Sequence, residues 1–397
     1  MNDALRQYSA FLDVDREPPK PRRMSRQMRL SGHRQTRNED GAIASRKQRR
    51  THVQQAHPDD DVQPQALRLL EIVNGSWMTQ ATRVAAELGL PDLLAGSPRS
   101  AGDLATATNT HAPSLYRLLR ALVSLDVCRE RADHTFELTP MGTLLRTDAE
   151  GSLRSWTIYW GREAWGDLPH LLDSVTTGLS RRELMSDETP FDRLRTDPAR
   201  AAVFNSAMAE LTRLTSRSVA GAYDFAGMSR IVDVGGGYGE LLAGVLSANP
   251  GLDSVLVDLP HAIEKARPYL EKRGVAERCM LLAGDFFKEV PAGADAYILK
   301  TVLHDWDDER SRDILATCRR AMTDSSKLVV IERLVPEVME PVPEHRLLAR
   351  ADLHMLVALA ALERTESQFR DLLSAAGLTV SAVVPLPMGY SLIEAVP

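Results

Sequence analysis

The chain has 397 residues and a formal net charge of −6, and 44% of its residues are hydrophobic. This length favours two or three domains of about 150 residues each, and the charge gives no global indication of a nucleic-acid or anionic-membrane partner. No run approaches the ~18 apolar residues of a membrane helix, and the N-terminus lacks a signal-peptide core. We therefore expect a cytoplasmic protein with no membrane partner.

The cysteine content indicates a reducing compartment. The three cysteines, Cys128, Cys279 and Cys318, are far apart and odd in number. This pattern argues against a disulfide framework and against a zinc site. We expect no metal in the protein.

Residues 1–62 are predicted to form a basic, disordered tail. Residues 1–55 contain thirteen Lys or Arg against six Asp or Glu, and their apolar residues are sparse and lack a period. Such a composition is typical of disorder. A solvated tail is the simpler interpretation, and an arm that binds nucleic acid or a membrane surface is the alternative.

Residues 63–150 are predicted to form a winged-helix domain. Helical spacing covers 66–73 and 81–88, two further segments at 100–104 and 111–120 have a helix–turn–helix pattern, and a hairpin is predicted from 127–131 and 135–139. DNA binding would place the 111–126 helix in the groove. That helix offers only Arg117 and Arg120, so a dimerisation or packing module is the favoured alternative.

Residues 151–223 are predicted to be a helical linker that contributes to an acceptor pocket. Three of the five tryptophans lie within ten residues of each other, and positions 156 and 160 share a helix face. These rings could wall an apolar pocket or belong to the core, since rigid aromatics serve both purposes. The aromatic and sulfur-bearing candidates are Trp156, Tyr159, Trp160, Phe204 and Met208.

Residues 224–397 alternate between strand and helix patterns. Strands are predicted at 230–234, 254–258, 279–283, 295–300 and 327–332, with helices at 240–248, 261–273 and 308–322 between them. This alternation predicts a parallel sheet with right-handed crossovers. Helices near 345–360 and 366–376 and two strands at 378–384 and 390–395 follow, and the last two strands could pair as an antiparallel edge.

A glycine turn follows the first of these strands. The stretch from Ile231 to Glu240 contains the pattern Asp233-x-Gly235-x-Gly237-x-Gly239 and leads into a helix. Backbone N–H groups at such a helix start favour a nucleotide-type cofactor. The dinucleotide pattern Gly-x-Gly-x-x-Gly fails in both registers, because residue 240 is glutamate and residue 242 is leucine.

Charged and aromatic side chains follow the next three strands. Asp258 can accept the hydroxyls of a ribose, although an Asp before Pro260 can also cap a helix. Asp285 and Phe286 can contact an adenine amine and its ring. His304 follows a strand that ends at Lys300. Its position puts it near the cofactor, with an ordinary capping or core histidine as the alternative.

These motifs together resemble the S-adenosylmethionine-dependent O-methyltransferases of the plant caffeate and bacterial anthracycline type. The resemblance spans residues 64–397 and rests on residues 231–240, Asp258, 284–287, Lys300, 303–306 and 363–365. It implies an α/β fold, with a winged-helix dimerisation domain ahead of a Rossmann-like catalytic domain at residues 224–397. It also implies a homodimer and removes most of the support for DNA binding.

The resemblance also implies roles for individual residues. His304 would be the general base, flanked by Glu332 and Glu363. Contacts with S-adenosylmethionine are expected from Asp233, Gly235, Gly237, Asp258, Leu259, Asp285, Phe286 and Lys300. Independently of the resemblance, aromatic content and position upstream of the glycine turn make Trp156, Trp160, Phe204 and Met208 candidates for acceptor contacts, and Asp305 and Met355 are further candidates.

An O-methyltransferase needs alignment of a hydroxyl with an activated methyl group and removal of a proton, without a metal. A phenol (pKa about 10) is about 3.5 pKa units too basic to lose its proton to an ordinary histidine, a cost of roughly 5 kcal/mol. The flanking acids, an acidified substrate hydroxyl, or proton loss coupled to methyl transfer could close this gap, and an aliphatic alcohol would be worse. We therefore expect a small aromatic, phenol-like acceptor.

Two other functions stay open. Some proteins of this fold hydroxylate or decarboxylate instead, and a winged helix can serve a transcriptional regulator. Residues 359–362 are Leu-Ala-Ala-Leu, where many relatives have paired glycines, so the acceptor pocket is expected to differ from theirs.

Overall fold

The structure is a computed structural model, and it describes residues 58–185 and 191–397. Most of the predicted basic tail therefore lies outside the described residues. The helix Pro58–Asn74 begins inside the range predicted as tail. Proline suits the first position of a helix, because its fixed φ is helical and its missing N–H is not needed there.

The N-terminal domain consists of short helices and a small antiparallel sheet. Its other helices are Ser76–Glu87, Leu90–Leu94, Ala101–Thr108, Ala112–Ser124 and Pro140–Thr143. Strands β1 (Arg99–Ser100), β2 (Cys128–Glu130) and β3 (Thr135–Leu138) pair in the order β1-β3-β2. Leu104, Leu119 and Phe136 are fully buried between these elements. The predicted helix pair and the predicted hairpin are both confirmed.

A helical region connects this domain to the large sheet. Its helical segments are Arg154–Tyr159, a π-helix at Trp160–Ala164, Trp165–Asp167, Leu168–His170, Leu171–Thr177, Arg181–Met185, Asp192–Thr196 and Pro198–Ala222. Asp197 caps the long last helix by accepting hydrogen bonds from the backbone N–H groups of Ala199 and Arg200.

A seven-stranded sheet forms the centre of the C-terminal region. Its strands are β4 (Arg230–Val234), β5 (Asp253–Asp258), β6 (Cys279–Ala283), β7 (Ala296–Lys300), β8 (Lys327–Arg333), β9 (Thr379–Pro385) and β10 (Tyr390–Val396). Their order is β6-β5-β4-β7-β8-β10-β9. The first five are parallel, and β10 runs antiparallel to both β8 and β9. The predicted parallel sheet and antiparallel edge are confirmed.

The strand order reverses at β4. The chain continues outward through β5 and β6 on one side of β4 and through β7 and β8 on the other. Ligands of open α/β sheets bind outside the carboxyl ends of the strands at such a switch point. The glycine turn after β4 lies there, so the topology fixes where a ligand site is expected.

Helices cover both faces of the sheet. They are Glu240–Ala248, Pro260–Lys272, Asp308–Ala321, Pro343–Leu359 and Glu366–Ala375, with short 3-10 turns at Ala276–Arg278, Leu303–Asp305 and Pro387–Gly389. One core contains Leu242 and Leu246, and the core of the other face contains Ile314 and Phe369. Within the described residues, no helix has both the length and the apolar character needed to cross a membrane.

Candidate active site

A cavity of about 720 Å³ opens at the carboxyl ends of the parallel strands. Its volume lies within the range of ligand pockets. Every residue predicted for the cofactor and acceptor sites lines it, and so do His304 and Glu363. The exception is Glu332, which is 0% exposed and lies behind the cavity wall. The cofactor and acceptor residues predicted from the sequence therefore lie around one cavity.

The glycine turn is held in place by Asp258. One carboxylate oxygen of Asp258 accepts a hydrogen bond from the N–H of Gly237 at 2.7 Å, and the other accepts one from Leu259 at 2.6 Å. Gly235 has φ +75, and an added Cβ would lie 2.9 Å from the Val302 side chain. Glycine is therefore required at position 235 by both conformation and space.

The alternative interpretation of Asp258 as a helix cap is wrong. The helix Pro260–Lys272 has Leu259 at its N-cap position, without a side-chain capping bond. Asp258 instead links the end of β5 to the turn after β4, while its side chain still lines the cavity.

Asp233 and Lys300 are two buried charged groups at the same edge of the sheet. Both oxygens of Asp233 lack a hydrogen-bond partner, and the side chain is 1% exposed. Burial, reinforced by Asp258, raises the pKa of Asp233 to about 7. Burial and the neighbouring Arg333 lower the pKa of Lys300 to about 8. Such unsatisfied groups are typical of ligand sites, because a ligand can supply the missing partners.

An aromatic cluster follows β6. Phe286 lies beside Gly235, and its ring centroid is 5.0 Å from that of Phe287. Phe287 packs edge-on against Trp306 at 4.8 Å, and the Arg310 guanidinium lies 3.8 Å above its ring. Asp285 accepts a hydrogen bond from the backbone N–H of Phe287. This cluster gives the cavity a rigid apolar wall.

The turn that carries His304 is fixed by two buried side chains. Glu332 accepts hydrogen bonds from the backbone N–H groups of Val302 and Leu303, both at 3.0 Å. Arg364 donates to the carbonyl oxygens of Leu303 and Trp306 at 2.9 and 2.8 Å. These bonds hold the backbone on both sides of His304 and so limit the positions that its ring can take.

Strain is also present in this turn. Thr301 directly follows β7 and has φ +50. For a β-branched residue this conformation costs on the order of 1–3 kcal/mol, and it persists only where surrounding contacts impose it. Backbone strain of this kind is concentrated at functional turns.

The His304 ring lies among three carboxylates. Its Nδ1 is 3.0 Å from Glu363 Oε1 and 3.9 Å from Glu332 Oε2, and its Nε2 is 3.4 Å from Asp305 Oδ1. Glu363 is therefore the hydrogen-bonded partner. Glu332 also lies beside the ring, and its other oxygen accepts hydrogen bonds from the backbone of the turn.

The carboxylates change the protonation of His304. Burial lowers its pKa, but the combined charges of Glu363, Glu332 and Asp305 outweigh burial and raise it to about 10. Burial raises the pKa of Asp305 to about 7, against the effect of His304. The pKa of Glu363 is lowered overall, since His304 outweighs its burial. These groups form one coupled unit that can accept and stabilise a proton.

The same unit has the composition of a metal site. Among the described residues, ligand atoms of His304, Glu332 and Glu363 all lie within 4.8 Å of one another. The raised pKa of His304 favours an imidazolium in this position, and a metal would have to displace its proton. That the protein works without a metal stays a prediction.

Aromatic rings line the other end of the cavity. Trp156 and Trp160 are stacked with centroids 5.4 Å apart, as their spacing predicted. Tyr159 packs edge-on against Phe204 at 5.6 Å. Met208 and Met355 also line this end. The rings are pocket residues, so the alternative that they belong only to the core is wrong.

Glu210 positions this aromatic wall. It is buried in the long helix Pro198–Ala222 and accepts hydrogen bonds from the backbone N–H groups of Ser155 and Trp156 at 3.0 and 2.8 Å. The wall is thus attached to a second helix at its first turn. No local sequence pattern predicts this contact, because Glu210 and Trp156 are 54 positions apart in the chain.

Several cavity residues with nitrogen-bearing side chains were not identified from the sequence. Arg333, Arg350 and His354 are among them. The spacing of Arg350 and His354 places both on one helix face, which is the signal that could have found them. The π-helix at Trp160–Ala164, a feature frequent at functional sites, was not identified either.

The Ala-Ala segment at 360–361 has a structural consequence. Ala360 ends the helix Pro343–Leu359 with φ +53. Glycine is favoured in this left-handed conformation because it has no Cβ. Ala358 and Leu359 line the cavity just before it, so the segment affects the acceptor end as expected.

Two family descriptions match the chain. An O-methyltransferase domain matches residues 170–379, and an O-methyltransferase dimerisation domain matches residues 70–148. The first match covers more than half of the chain, and the two matches correspond to the sheet region and the N-terminal region described above.

Several characterised proteins are similar over nearly their whole length. A phenazine O-methyltransferase from Lysobacter antibioticus is 41% identical, over 83% of this chain and 95% of that protein. A phenazine-1-carboxylate N-methyltransferase from Pseudomonas aeruginosa is 34% identical, over 83% of this chain and 97% of that protein.

A solved structure has the same fold. It is an O-methyltransferase from neocarzinostatin biosynthesis in complex with S-adenosylmethionine and 2-hydroxy-5-methyl naphthoic acid. It superposes with a TM-score of 0.68 and 31% identity, over 80% of this chain and 95% of that one. The fold, the domain matches and these relatives agree, and the chain therefore belongs to the S-adenosylmethionine-dependent O-methyltransferase family.

Proposed function

We propose that this enzyme transfers a methyl group from S-adenosylmethionine to an aromatic hydroxyl of a small secondary metabolite, with His304 as the general base. The observation that carries the proposal is the Nδ1 contact of His304 with Glu363 at 3.0 Å, at the point where the two ends of the cavity meet. This contact leaves Nε2 as the nitrogen that can receive a proton from the acceptor.

The donor end fits S-adenosylmethionine. Asp258 and the glycine turn form a recess for a ribose, and Phe286 offers a ring face beside it. Asp233 lacks hydrogen-bond partners, and Lys300 is a buried cation. An amino-acid moiety brings an ammonium and a carboxylate, which are the partners that these two side chains need.

S-adenosylmethionine supplies a methyl group that its positive sulfonium has already activated. The residues at the acceptor end hold the hydroxyl toward it, and such alignment contributes up to roughly 7–11 kcal/mol. His304 accepts the hydroxyl proton at Nε2, and Glu363 stabilises the resulting imidazolium through Nδ1. Nδ1 of His304 is engaged by Glu363, so the proton transfer is assigned to Nε2.

The raised pKa of His304 affects the free-energy cost of moving the proton from the acceptor hydroxyl to the histidine. Within the complex, a histidine with a pKa of about 10 receives a proton from a phenol with nearly no loss of free energy. The same shift keeps most His304 side chains protonated near neutral pH. The fraction of enzyme that carries a competent base therefore grows as the pH rises.

The N-terminal domain supports a homodimer. The helix Pro58–Asn74 exposes large apolar side chains in the single chain, including Leu67, Leu70 and Ile72. Contiguous exposed apolar surface is typical of protein interfaces. The match to a dimerisation domain is consistent with a second copy covering this helix.

The product of the reaction tests the proposal. The purified enzyme is incubated with S-adenosylmethionine and a panel of phenols, naphthols and aromatic amines, and the products are analysed by mass spectrometry and NMR. O-methylation adds the mass of one CH₂ and gives a methoxy signal.

Methylation of nitrogen alone would support the second candidate, N-methyl transfer, which the similarity to an N-methyltransferase favours. Oxygen insertion or loss of CO₂ would support the hydroxylase or decarboxylase alternative.

A further inference from the structure

Three nitrogen-bearing side chains at the acceptor end have no role in the proton transfer described above. Arg333 lies at the end of β8, and Arg350 and His354 lie one turn apart on the helix Pro343–Leu359. All three line the cavity. Their position beside the tryptophan wall requires an explanation.

Arg350 lies against the tryptophan wall without a carboxylate partner. Its guanidinium carbon is 4.2 Å from the centroid of Trp160 and 5.9 Å from that of Trp156. Among the described residues, none forms an ion pair or hydrogen bond with its guanidinium. Stacking on an aromatic face leaves the edge of the guanidinium, with its N–H donors, available to a ligand.

Arg333 and His354 also have unsatisfied polar atoms. Arg333 is 6% exposed, and its Nε has no hydrogen-bond partner. His354 is 5% exposed, and its Nδ1 has none either, while its Nε2 lies 3.4 Å from the Tyr159 hydroxyl. Buried polar atoms without partners are rare in native structures and require a reason such as a ligand.

Within the described residues, no carboxylate is hydrogen-bonded to Arg333 or Arg350. Arg333 lowers the pKa of Arg350, in addition to the effect of burial. The charge of Glu363 interacts with both arginines, but its Oε1 is bonded to His304 and it forms no hydrogen bond with either arginine. Arg333 is buried and Arg350 is partly buried, and two cations that repel each other in such a place are costly unless an anion joins them.

We propose that Arg350, together with Arg333 and His354, forms a subsite for a carboxylate carried by the aromatic acceptor. The planar edge of a guanidinium matches the two oxygens of a carboxylate. Trp160 holds that edge at the acceptor end, so an aromatic ring beside the tryptophans can present its carboxylate to Arg350. This inference rests on the proposed methyl transfer and adds that the acceptor is a hydroxylated aromatic acid.

The carboxylate of the methyl donor is the competing occupant. Arg333 and Lys300 both lie over the Tyr390 ring, at 4.3 and 5.0 Å from its centroid, so Arg333 also lies near the donor end. Arg350 lies against Trp160 instead. Arg350 is therefore the residue whose substitution separates the two occupants.

The test compares acids with their amides. Isothermal titration with S-adenosylhomocysteine present measures the affinity of 3-hydroxybenzoate, 3-hydroxy-2-naphthoate and 3-hydroxyanthracene-2-carboxylate, each against its carboxamide. At least one acid is expected to bind the wild-type enzyme at least about tenfold more tightly than its amide, as one charge-assisted contact of 1.5–3 kcal/mol implies. If none of the three acids shows this preference, the proposal is wrong.

Variants assign the preference to Arg350. Arg350→Gln is expected to abolish it, Arg350→Lys to keep part of it, and both to leave the affinity for S-adenosylhomocysteine unchanged. Arg346→Gln is the matched control, because Arg346 is exposed on the same helix one turn earlier, and it is expected to keep the full preference. A preference that survives in Arg350→Gln, or a loss of S-adenosylhomocysteine affinity instead, would overturn the assignment.

The subsite and the proposed reaction can be disproved independently of each other. If the acids bind preferentially but gain no methyl group, the subsite stands and the proposed reaction is wrong. If acids and amides bind equally and are both methylated, the reaction stands and the subsite is wrong.

Discussion

The two ends of the cavity are built in different ways. At the donor end, the glycine turn, Asp258 and Lys300 lie at the carboxyl ends of the neighbouring parallel strands β4, β5 and β7, and bonds such as Gly237 N–H to Asp258 hold them. At the acceptor end, side chains come from distant helices and contact one another mainly through ring faces, as with Trp160 and Arg350. The topology of the sheet determines the first end, and packing between helices determines the second. The donor end is therefore expected to be shared widely, and the acceptor end to set specificity.

The largest effect is expected where the two ends meet. His304→Ala removes the proton acceptor, and it should reduce turnover by roughly 10²–10⁴-fold while the affinity for S-adenosylhomocysteine stays nearly unchanged. Steady-state kinetics and calorimetry measure the two quantities. His134→Ala, on an exposed histidine of the N-terminal domain, is the control and should behave like the wild type. Wild-type turnover in His304→Ala would show that His304 is not the base.

A change at the donor end should affect donor binding alone. Asp258→Asn removes the charge that the turn and a ribose share, and the dissociation constant of S-adenosylhomocysteine should rise by about 10–100-fold. Asp253→Asn, at the exposed opposite end of the same strand, should leave it unchanged. If Asp258→Asn weakened the acceptor and left donor affinity intact, the division of the cavity into two ends would be wrong.

A change at Glu210, which holds the aromatic wall of the acceptor end, should weaken acceptor binding and leave donor binding unchanged. Glu210→Gln weakens the bonds to the backbone of Ser155 and Trp156 and should raise the acceptor KM by about fivefold, corresponding to about 1 kcal/mol, without changing donor affinity. Glu150→Gln removes an exposed ion pair with Arg217 and serves as the control. Equal losses of donor and acceptor affinity would mean that the two ends are mechanically coupled.

The smallest effect concerns stability. Ala360→Gly relieves the left-handed strain at the end of the helix Pro343–Leu359 and should raise the free energy of unfolding by about 0.5–1 kcal/mol. Ala349→Gly, in the interior of the same helix, should lower it by a similar amount. Urea denaturation measures both. Destabilisation by Ala360→Gly would contradict the strain argument.

The difference between the donor end and the acceptor end also explains which features could be predicted from the sequence. The strands and the glycine turn follow from local patterns, and parallel strands bring Asp233, Asp258 and Lys300 to one edge whatever the details of packing. The role of Glu332 in bonding the backbone of the His304 turn has no local signal, because it depends on the register of β7 beside β8. The spacing of Arg350 and His354 places them on one helix face, but only the packing of that helix shows that this face lines the cavity.

The central claim is that carboxylates hold His304 as a base of raised pKa. A raised pKa means that His304 is protonated at neutral pH and becomes competent as the pH rises. With the donor saturating, kcat/KM for the acceptor should therefore rise with an apparent pKa above the ~6.5 of ordinary histidine. Glu363→Gln removes a negative neighbour, so it should move this limb to lower pH. The ionisation of the acceptor itself is the same in both enzymes and cannot produce such a shift. A profile that is flat above about pH 7.5 and unchanged by Glu363→Gln would contradict the account.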